Sequence, residues 1–225
     1  MLTKDDHARI SAAIGEVEQR TRGEIFCVLA REVSHYREVP LGWGALAALL
    51  VPPLLILPGL HRLALADIFT SWTDESVHAV EGLIIRTLTI YSLIQAGLFA
   101  VVALIVSLPR VRRVMTPRFL KRFRVNQVAR RHFVAAGGRH HEPHILIFAS
   151  LADRQVELVA HEAIHKAVGE GPWNAAVAAV TEGMKTGKPA DGFISAIRIC
   201  GDALAAHFPL EGAPRNQLPN TLLET

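Results

Sequence analysis

TLTIYSLIQAGLFAVVALIVSL, residues 87–108, decides the fold because these 22 positions contain no charged side chain. At about 1.5 Å per residue, a helix of this length covers about 33 Å, enough for a hydrocarbon core of about 30 Å. The basic stretch PRVRRVMTPRFLKRFRVNQVARR follows directly. The pattern predicts a transmembrane helix over about residues 85–108, with a basic anchor at its end.

A second uncharged stretch, residues 41–60, reads LGWGALAALLVPPLLILPGL and is 20 residues long. Pro52, Pro53 and Pro58 remove backbone donors there, which kinks a helix. Membrane spans tolerate proline where neighbouring groups satisfy the freed carbonyls. We therefore expect a second span, and a transmembrane hairpin over residues 41–108; a re-entrant segment at 41–60 is the alternative.

Charge indicates the orientation of this hairpin. Residues 109–141 carry ten Arg and Lys and no acidic residue, whereas the loop 61–82 carries one Arg against four acidic residues. By the positive-inside rule, the loop faces outward and both termini are cytoplasmic. We expect a bacterial inner-membrane protein with two spans and no cleaved signal peptide, because the chain opens with polar residues.

The net charge of +3 does not predict nucleic-acid binding, because the excess lies beside the membrane and no recognition module accompanies it. An anionic leaflet attracts such residues. The predicted contacts with anionic lipid headgroups are Arg110, Arg112, Arg113, Lys121 and Arg122.

The N-terminal polar segment predicts one helix and one strand. Thr3 and Asp6 form a capping-box pattern, and apolar residues then recur at helical spacing to about Arg20. Gly23 suits a left-handed position after this helix. Residues 24–30, EIFCVLA, read as a strand that is apolar on both faces and needs burial from both sides.

The C-terminal segment predicts a hairpin of strands at 144–150 and 154–160, joined by a short turn. Pairing about the middle of the turn puts His144 opposite Ala160. Pro172 opens one helix and Gly187 closes it. A last helix has a buried stripe formed by Phe193, Ile197, Cys200, Leu204 and Phe208.

Neither polar segment is complete alone, so we expect one α/β domain split in sequence by the transmembrane hairpin. Its parts are residues 1–36 and 110–209, and residues 210–225 are predicted to be a disordered tail. Cys27 and Cys200 are the only cysteines. Both fall in a reducing compartment on this topology, where a disulfide is not expected.

The ordered set of motifs resembles the TPM domain family, in the bacterial subgroup with a membrane hairpin after the first strand. The matching stretches are TRGEI at 21–25, HILIFASLADRQVELVA at 144–160, GPW at 171–173 and ALAAHFP at 203–209. The resemblance implies a three-layer α/β/α sandwich, with divalent-cation binding, weak phosphatase activity or assembly of membrane complexes among its members. His161 stands where relatives often have Asp, so no calcium or phosphatase residue is carried over.

The segment HEAIH, residues 161–165, matches the HExxH motif, in which two imidazoles on a helix hold Zn²⁺ and the glutamate activates water. Under this alternative Glu162 is the catalytic base. Three features count against it: the helix ends by about Val168, Ala163 follows the glutamate where a larger apolar residue is usual, and no third ligand follows at familiar spacing.

A non-catalytic metal or pH-sensitive patch is a further hypothesis, because the predicted hairpin brings the loop 140–142 towards the HEAIH segment. Neutral imidazole binds transition metals well. The candidate ligands for a divalent metal, zinc or calcium, are His161, His165, His141 and His144. A solvated, histidine-rich sheet edge is the interpretation that the residues favour.

The sequence as a whole predicts an integral inner-membrane protein whose cytoplasmic TPM-like domain is a non-enzymatic binding or assembly module, with a membrane protein as partner. The alternative is a membrane-anchored metal-dependent hydrolase, either the zinc protease at 161–165 or a weak phosphatase by family analogy.

Overall fold

A computed structural model of the chain describes residues 2–56, 74–137, 143–210 and 220–225. It divides into two compact units. Met1–His35 and Arg118–Thr225 form the first, and Tyr36–Pro117 form the second. We call them the α/β unit and the helical unit. The mixed α/β class expected from the sequence is confirmed.

The elements of the described ranges follow one another in this order: α1 Lys4–Glu18, β1 Glu24–Ala30, α2 Glu38–Ile56, α3 Asp74–Ser107, α4 Pro109–Met115, α5 Arg118–Gly137, β2 His144–Ser150, β3 Gln155–Ala160, α6 Glu162–Val168, α7 Gly171–Lys185, α8 Pro189–His207 and β4 Leu222–Glu224.

Helix α1 begins at the capping box that the sequence predicts. Thr3 Oγ1 accepts from the Asp6 amide at 3.1 Å, and Asp6 Oδ2 accepts from the Thr3 amide at 3.0 Å. The helix ends earlier than expected, with Gln19 as its C-cap. Gly23 is not a left-handed cap: a Cβ there would lie 3.0 Å from Leu204 Cδ2, so the glycine allows a close approach instead.

The sheet has four strands in the order β3-β2-β1-β4. Strand β1 pairs in parallel with both β2 and β4, and β2 pairs antiparallel with β3. Ile145 lies opposite Ala160, so the hairpin is shifted by one residue from the predicted register. As a result His161 lies opposite His144, and the His161 amide donates to the His144 carbonyl at 3.0 Å.

Helices cover both faces of this sheet. On one face, α1, α7 and α8 pack on Ile25, Cys27 and Ile147. On the other face, Val125 and Ala129 of α5 pack on a second cluster formed by Val28, Ala30, Leu146 and Phe148. The sequence indicated only a basic juxtamembrane block at this position, because the apolar positions of α5 are dispersed among arginines.

The prediction of a disordered tail over residues 210–225 is wrong for its last part. Residues 222–224 form β4, in which Leu222 is buried and pairs with Cys27. The Arg31 amide also donates to the Thr225 carbonyl at 2.8 Å. Pairing with the otherwise free edge of β1 stabilises β4, although the residues around it in sequence are polar. Residues 211–219 lie outside the described ranges.

The helical unit contains α2, α3 and α4. Gln95 Nε2 donates to the Ala48 carbonyl at 3.1 Å, and a Cβ on Gly44 would lie 3.0 Å from the Phe99 carbonyl oxygen. Because the later residue of α2 contacts the earlier residue of α3, the two helices are antiparallel. Pro52 and Pro53 lie inside α2.

Within the described residues, one helix is long and apolar enough to cross a bilayer: Ile84–Ser107, 24 residues with a mean hydropathy of 2.2. Glu38–Leu54 is also apolar but shorter. The second span predicted over residues 41–60 coincides with the apolar helix α2 as far as Ile56. Residues 57–60 of that prediction lie outside the described ranges.

Candidate functional site

The candidate site lies at the end of the sheet where β1 and β2 begin and β3 ends. Glu24 is the first residue of β1 and pairs with His144, the first residue of β2. His161 follows β3 directly and lies on the other side of His144. The fold thus places one carboxylate and two imidazoles in a row across three neighbouring strands.

His144 is the buried member of this row, with 4% of its surface exposed. Phe133 of α5 stacks on its ring, with centroids 4.3 Å apart and an angle of 24° between the planes. The ring of His161 lies 6.1 Å away, centroid to centroid. One imidazole is therefore held by packing, while its neighbour is exposed.

His161 is the N-cap of α6 and not a helical residue. Its backbone is extended, with φ −58° and ψ 145°, and its Nδ1 accepts from the Ala163 amide at 3.3 Å. The HExxH motif needs both histidines on consecutive turns of one helix, and here the helix begins one residue too late.

The other two residues of the motif face solvent. His165 is exposed, and its amide donates to the His161 carbonyl at 3.0 Å. Glu162 forms an ion pair with Lys166, with Oε1 and Nζ 2.6 Å apart. Helix α6 has seven residues and ends at Gly169, whose φ is +75°. It supplies no long helix to form a cleft behind the motif.

The divalent-metal hypothesis, zinc or calcium, stays a prediction. In the ranges that the structure describes, no group of three His, Cys, Asp or Glu side chains comes together in a way that could hold a metal ion. His141 and the rest of the loop 140–142 lie outside these ranges. Of the four candidate ligands, the fold brings His144, at the start of β2, beside His161, just after β3, and puts His165 on the following helix.

Sequence reasoning missed a buried carboxylate beside this row. Glu18 ends α1 with 9% of its surface exposed, and Glu24 is 3% exposed. Burial, together with the nearby carboxylate of Glu24, raises the pKa of Glu18 to about 7. The signal was available, because Glu18 follows Ile14 by four positions and so lies on the buried stripe of α1.

The predicted lipid-contacting residues fall on two helices. Arg110, Arg112 and Arg113 belong to α4 in the helical unit, and Lys121 and Arg122 belong to α5 in the α/β unit. Arg110, Arg113 and Arg122 are exposed, while Arg112 and Lys121 are half-buried. Their contact with lipid remains a prediction.

Cys27 and Cys200 are free, buried thiols. Burial raises the pKa of both, for Cys200 to about 12. A thiol that stays protonated and buried is unreactive. These cysteines contribute to the core and not to a catalytic site.

No protein-family model matches the sequence, and no curated protein matches it either. Among solved structures, the chain is similar to the NMR structure of BA42 protein from the psychrophilic bacterium Bizionia argentinensis sp. nov.. The two are 16% identical with a TM-score of 0.53, and the alignment covers 100% of this chain and 96% of that chain. At this level of identity, the likeness concerns the fold.

Proposed function

We propose that the chain is an integral membrane protein whose α/β unit is a non-enzymatic binding or assembly module. The observation that carries the proposal is the exposed apolar surface of α3. Only 6% of the apolar window in Ile84–Ser107 is buried. An apolar helix of this length that the protein itself does not bury requires another apolar medium, and a bilayer provides one.

Connectivity supports a second crossing by α2. Strands β1 and β2 pair in parallel, although the helical unit separates them in sequence. A sheet cannot form with its strands on opposite sides of a bilayer, so the number of crossings between β1 and β2 must be even. We therefore propose a transmembrane hairpin in which α2 and α3 both span, as the sequence suggests for residues 41–60 and 85–108.

The excess of Arg and Lys after α3 supports a cytoplasmic α/β unit with both termini on the same side, in the inner membrane of a bacterium. The helices on both faces of the sheet are compatible with the three-layer α/β/α sandwich implied by the resemblance to TPM domains. Under this proposal, the partner is another membrane protein.

The topology is tested by accessibility labelling of the full chain in right-side-out and inverted membrane vesicles. Cysteines replacing the exposed Lys4 and Lys185, one at a time, should react only in inverted vesicles. Because Cys27 and Cys200 are buried, they should add little background. Labelling of the two positions from opposite sides would overturn the proposal.

The module and the hydrolase alternative are separated by Glu162→Ala, combined with crosslinking and pull-down from native membranes. Glu162 is exposed and pairs only with Lys166 among the described contacts, so its removal should leave the fold intact. A binding module should retain its crosslinked partners. Loss of a proteolytic activity in this variant would instead establish the zinc-protease alternative.

A further inference from the structure

The first two turns of α5 expose aromatic side chains. Phe119 is 74% exposed and Phe123 is 62% exposed, and they lie one helical turn apart. Arg118 and Arg122, which directly precede Phe119 and Phe123 in sequence, are exposed as well. The surface formed by these four residues, which we call the Phe/Arg surface, combines apolar rings with fixed positive charge.

Residues further along the same helix attach α5 to the sheet. Val125 is 1% exposed and Ala129 is fully buried, and both pack on the sheet. The helix is therefore fixed to the sheet by residues beyond its first two turns. The two phenylalanines are not needed for that packing.

The Arg and Lys side chains make α5 positively charged along its length. The helix contains six basic residues and no acidic residue, and the basic residues are Arg118, Lys121, Arg122, Arg124, Arg130 and Arg131. Helices with Lys or Arg and exposed Phe lie in the headgroup region of membranes, where the rings enter the acyl boundary and the cations meet anionic lipids.

The position of the surface in the chain favours a membrane over a nucleic acid. Phe119 follows the end of α3 at Ser107 by twelve positions. Seven of the intervening residues form α4, which rises only about 10 Å. If α3 spans a bilayer, the chain cannot carry the Phe/Arg surface far from the leaflet in which α3 ends.

We propose that the Phe/Arg surface binds the cytoplasmic leaflet, with Phe119 and Phe123 inserted at the acyl boundary and Arg118 and Arg122 paired with phosphates of anionic lipids. This inference rests on the proposed membrane function. It adds a second attachment, made by the α/β unit itself, which keeps that unit against the bilayer.

Depth measurement by spin labelling tests the proposal on the full chain in vesicles of phosphatidylcholine and phosphatidylglycerol. Phe119→Cys and Phe123→Cys each provide one reactive thiol, because the native cysteines are buried. The nitroxide is compared for its accessibility to oxygen, which partitions into lipid, and to a water-soluble nickel chelate. Leu104→Cys in α3 and Arg198→Cys on the exposed side of α8 are the matched controls.

We expect labels at 119 and 123 to be shifted towards oxygen accessibility, between the label at 104 in lipid and the label at 198 in water. Labels at 119 and 123 as water-accessible as the label at 198, with 104 still in lipid, would overturn this inference and leave the proposed function standing. A water-accessible label at 104 would overturn both.

The electrostatic part is tested with Arg118→Gln combined with Arg122→Gln. This double variant, or vesicles of phosphatidylcholine alone, should remove most of the shift at 119 and 123, whereas Arg198→Gln should not. Single-stranded RNA that binds the full chain with the same dependence on Arg118 and Arg122, while both labels remain in water, would overturn the lipid assignment in favour of a nucleic acid.

Discussion

The two units of this molecule differ in whether their large apolar side chains are buried within the protein or exposed on its surface. In the α/β unit, Phe148 and Phe193 are fully buried. In the helical unit, Leu93 is 67% exposed and Leu104 is 70% exposed. Hydrophobic burial within the protein therefore stabilises the first unit. The second unit, under the proposed topology, depends on the lipid around it. Matched substitutions in the two units should consequently have different effects.

The largest expected effect is in the core of the α/β unit. Phe193→Ala removes a ring of α8 that is fully buried in the core of the α/β unit and should lower the free energy of unfolding by about 4 kcal/mol. Leu93→Ala in α3 should change it by less than about 0.5 kcal/mol. Urea unfolding in detergent, followed by near-UV circular dichroism, measures both. Equal losses would contradict the contrast between the units.

A charge at the middle of α3 should have the next largest effect, on membrane insertion. Leu93→Asp places a carboxylate within Ile84–Ser107, at a cost of about 3 kcal/mol in a bilayer. The fraction of protein that alkaline carbonate extracts from membranes should rise. Val134→Asp, at an exposed position of α5, is the control and should not change extraction. Unchanged extraction of the Leu93 variant would argue that α3 does not span.

Glycines provide a smaller test of packing in the two units. A Cβ on Gly183 would lie 2.7 Å from Gly192 Cα and 2.8 Å from the Lys188 carbonyl oxygen, so Gly183→Ala must separate α7 from α8. We expect a loss of about 2 kcal/mol. A Cβ on Gly97 in α3 would meet no atom of the described residues within 4 Å, so Gly97→Ala should be neutral or slightly stabilising. Thermal unfolding in detergent measures both variants.

The smallest effect concerns pH. The pKa of Glu18 is raised to about 7 in the folded state, from an ordinary 4.5, so the folded protein binds the extra proton. The favourable contribution of Glu18 to the free energy of unfolding should therefore be fully present below about pH 4.5, and it should be lost as the pH rises through about 7. Glu18→Gln removes this dependence and should be more stable than the wild type by about 1 kcal/mol at about pH 8.

The control for this prediction is Glu16→Gln, an exposed position of the same helix. Its stability relative to the wild type should not change with pH. A Glu18→Gln variant that shows no pH-dependent gain would mean that Glu18 is solvated in the folded protein.

Local pattern was sufficient for much of the α/β unit. The bounds of β1 and β2 agree with the apolar runs, and the capping box sets the start of α1. Gly187 follows the end of α7, as predicted, and its φ is +74°. The stripe of α8 is buried from Phe193 to Phe208. In each case, neighbouring residues in sequence determine the outcome.

Features that depend on turn geometry or on distant residues were not predictable in the same way. The one-residue shift between β2 and β3 depends on the turn, in which Arg154 has a φ of +52°. Strand β4 depends on the free edge of β1, which is nearly 200 residues earlier in the chain. The packing of α5 depends on a sheet face that no local pattern reveals. Of the candidate site, the motif residues were evident from sequence, but their arrangement was not.

The parallel pairing of β1 with β2 has a consequence for biosynthesis. The ribosome synthesises Ala30 more than a hundred residues before His144. At about 5–20 residues per second, β1 is therefore without its neighbouring strand for several seconds. Under the proposed topology, the hairpin must enter the membrane during that interval, while an apolar, unpaired strand remains outside it. Delayed insertion would therefore expose β1 to aggregation, and this stage of synthesis is where the chain most needs a chaperone.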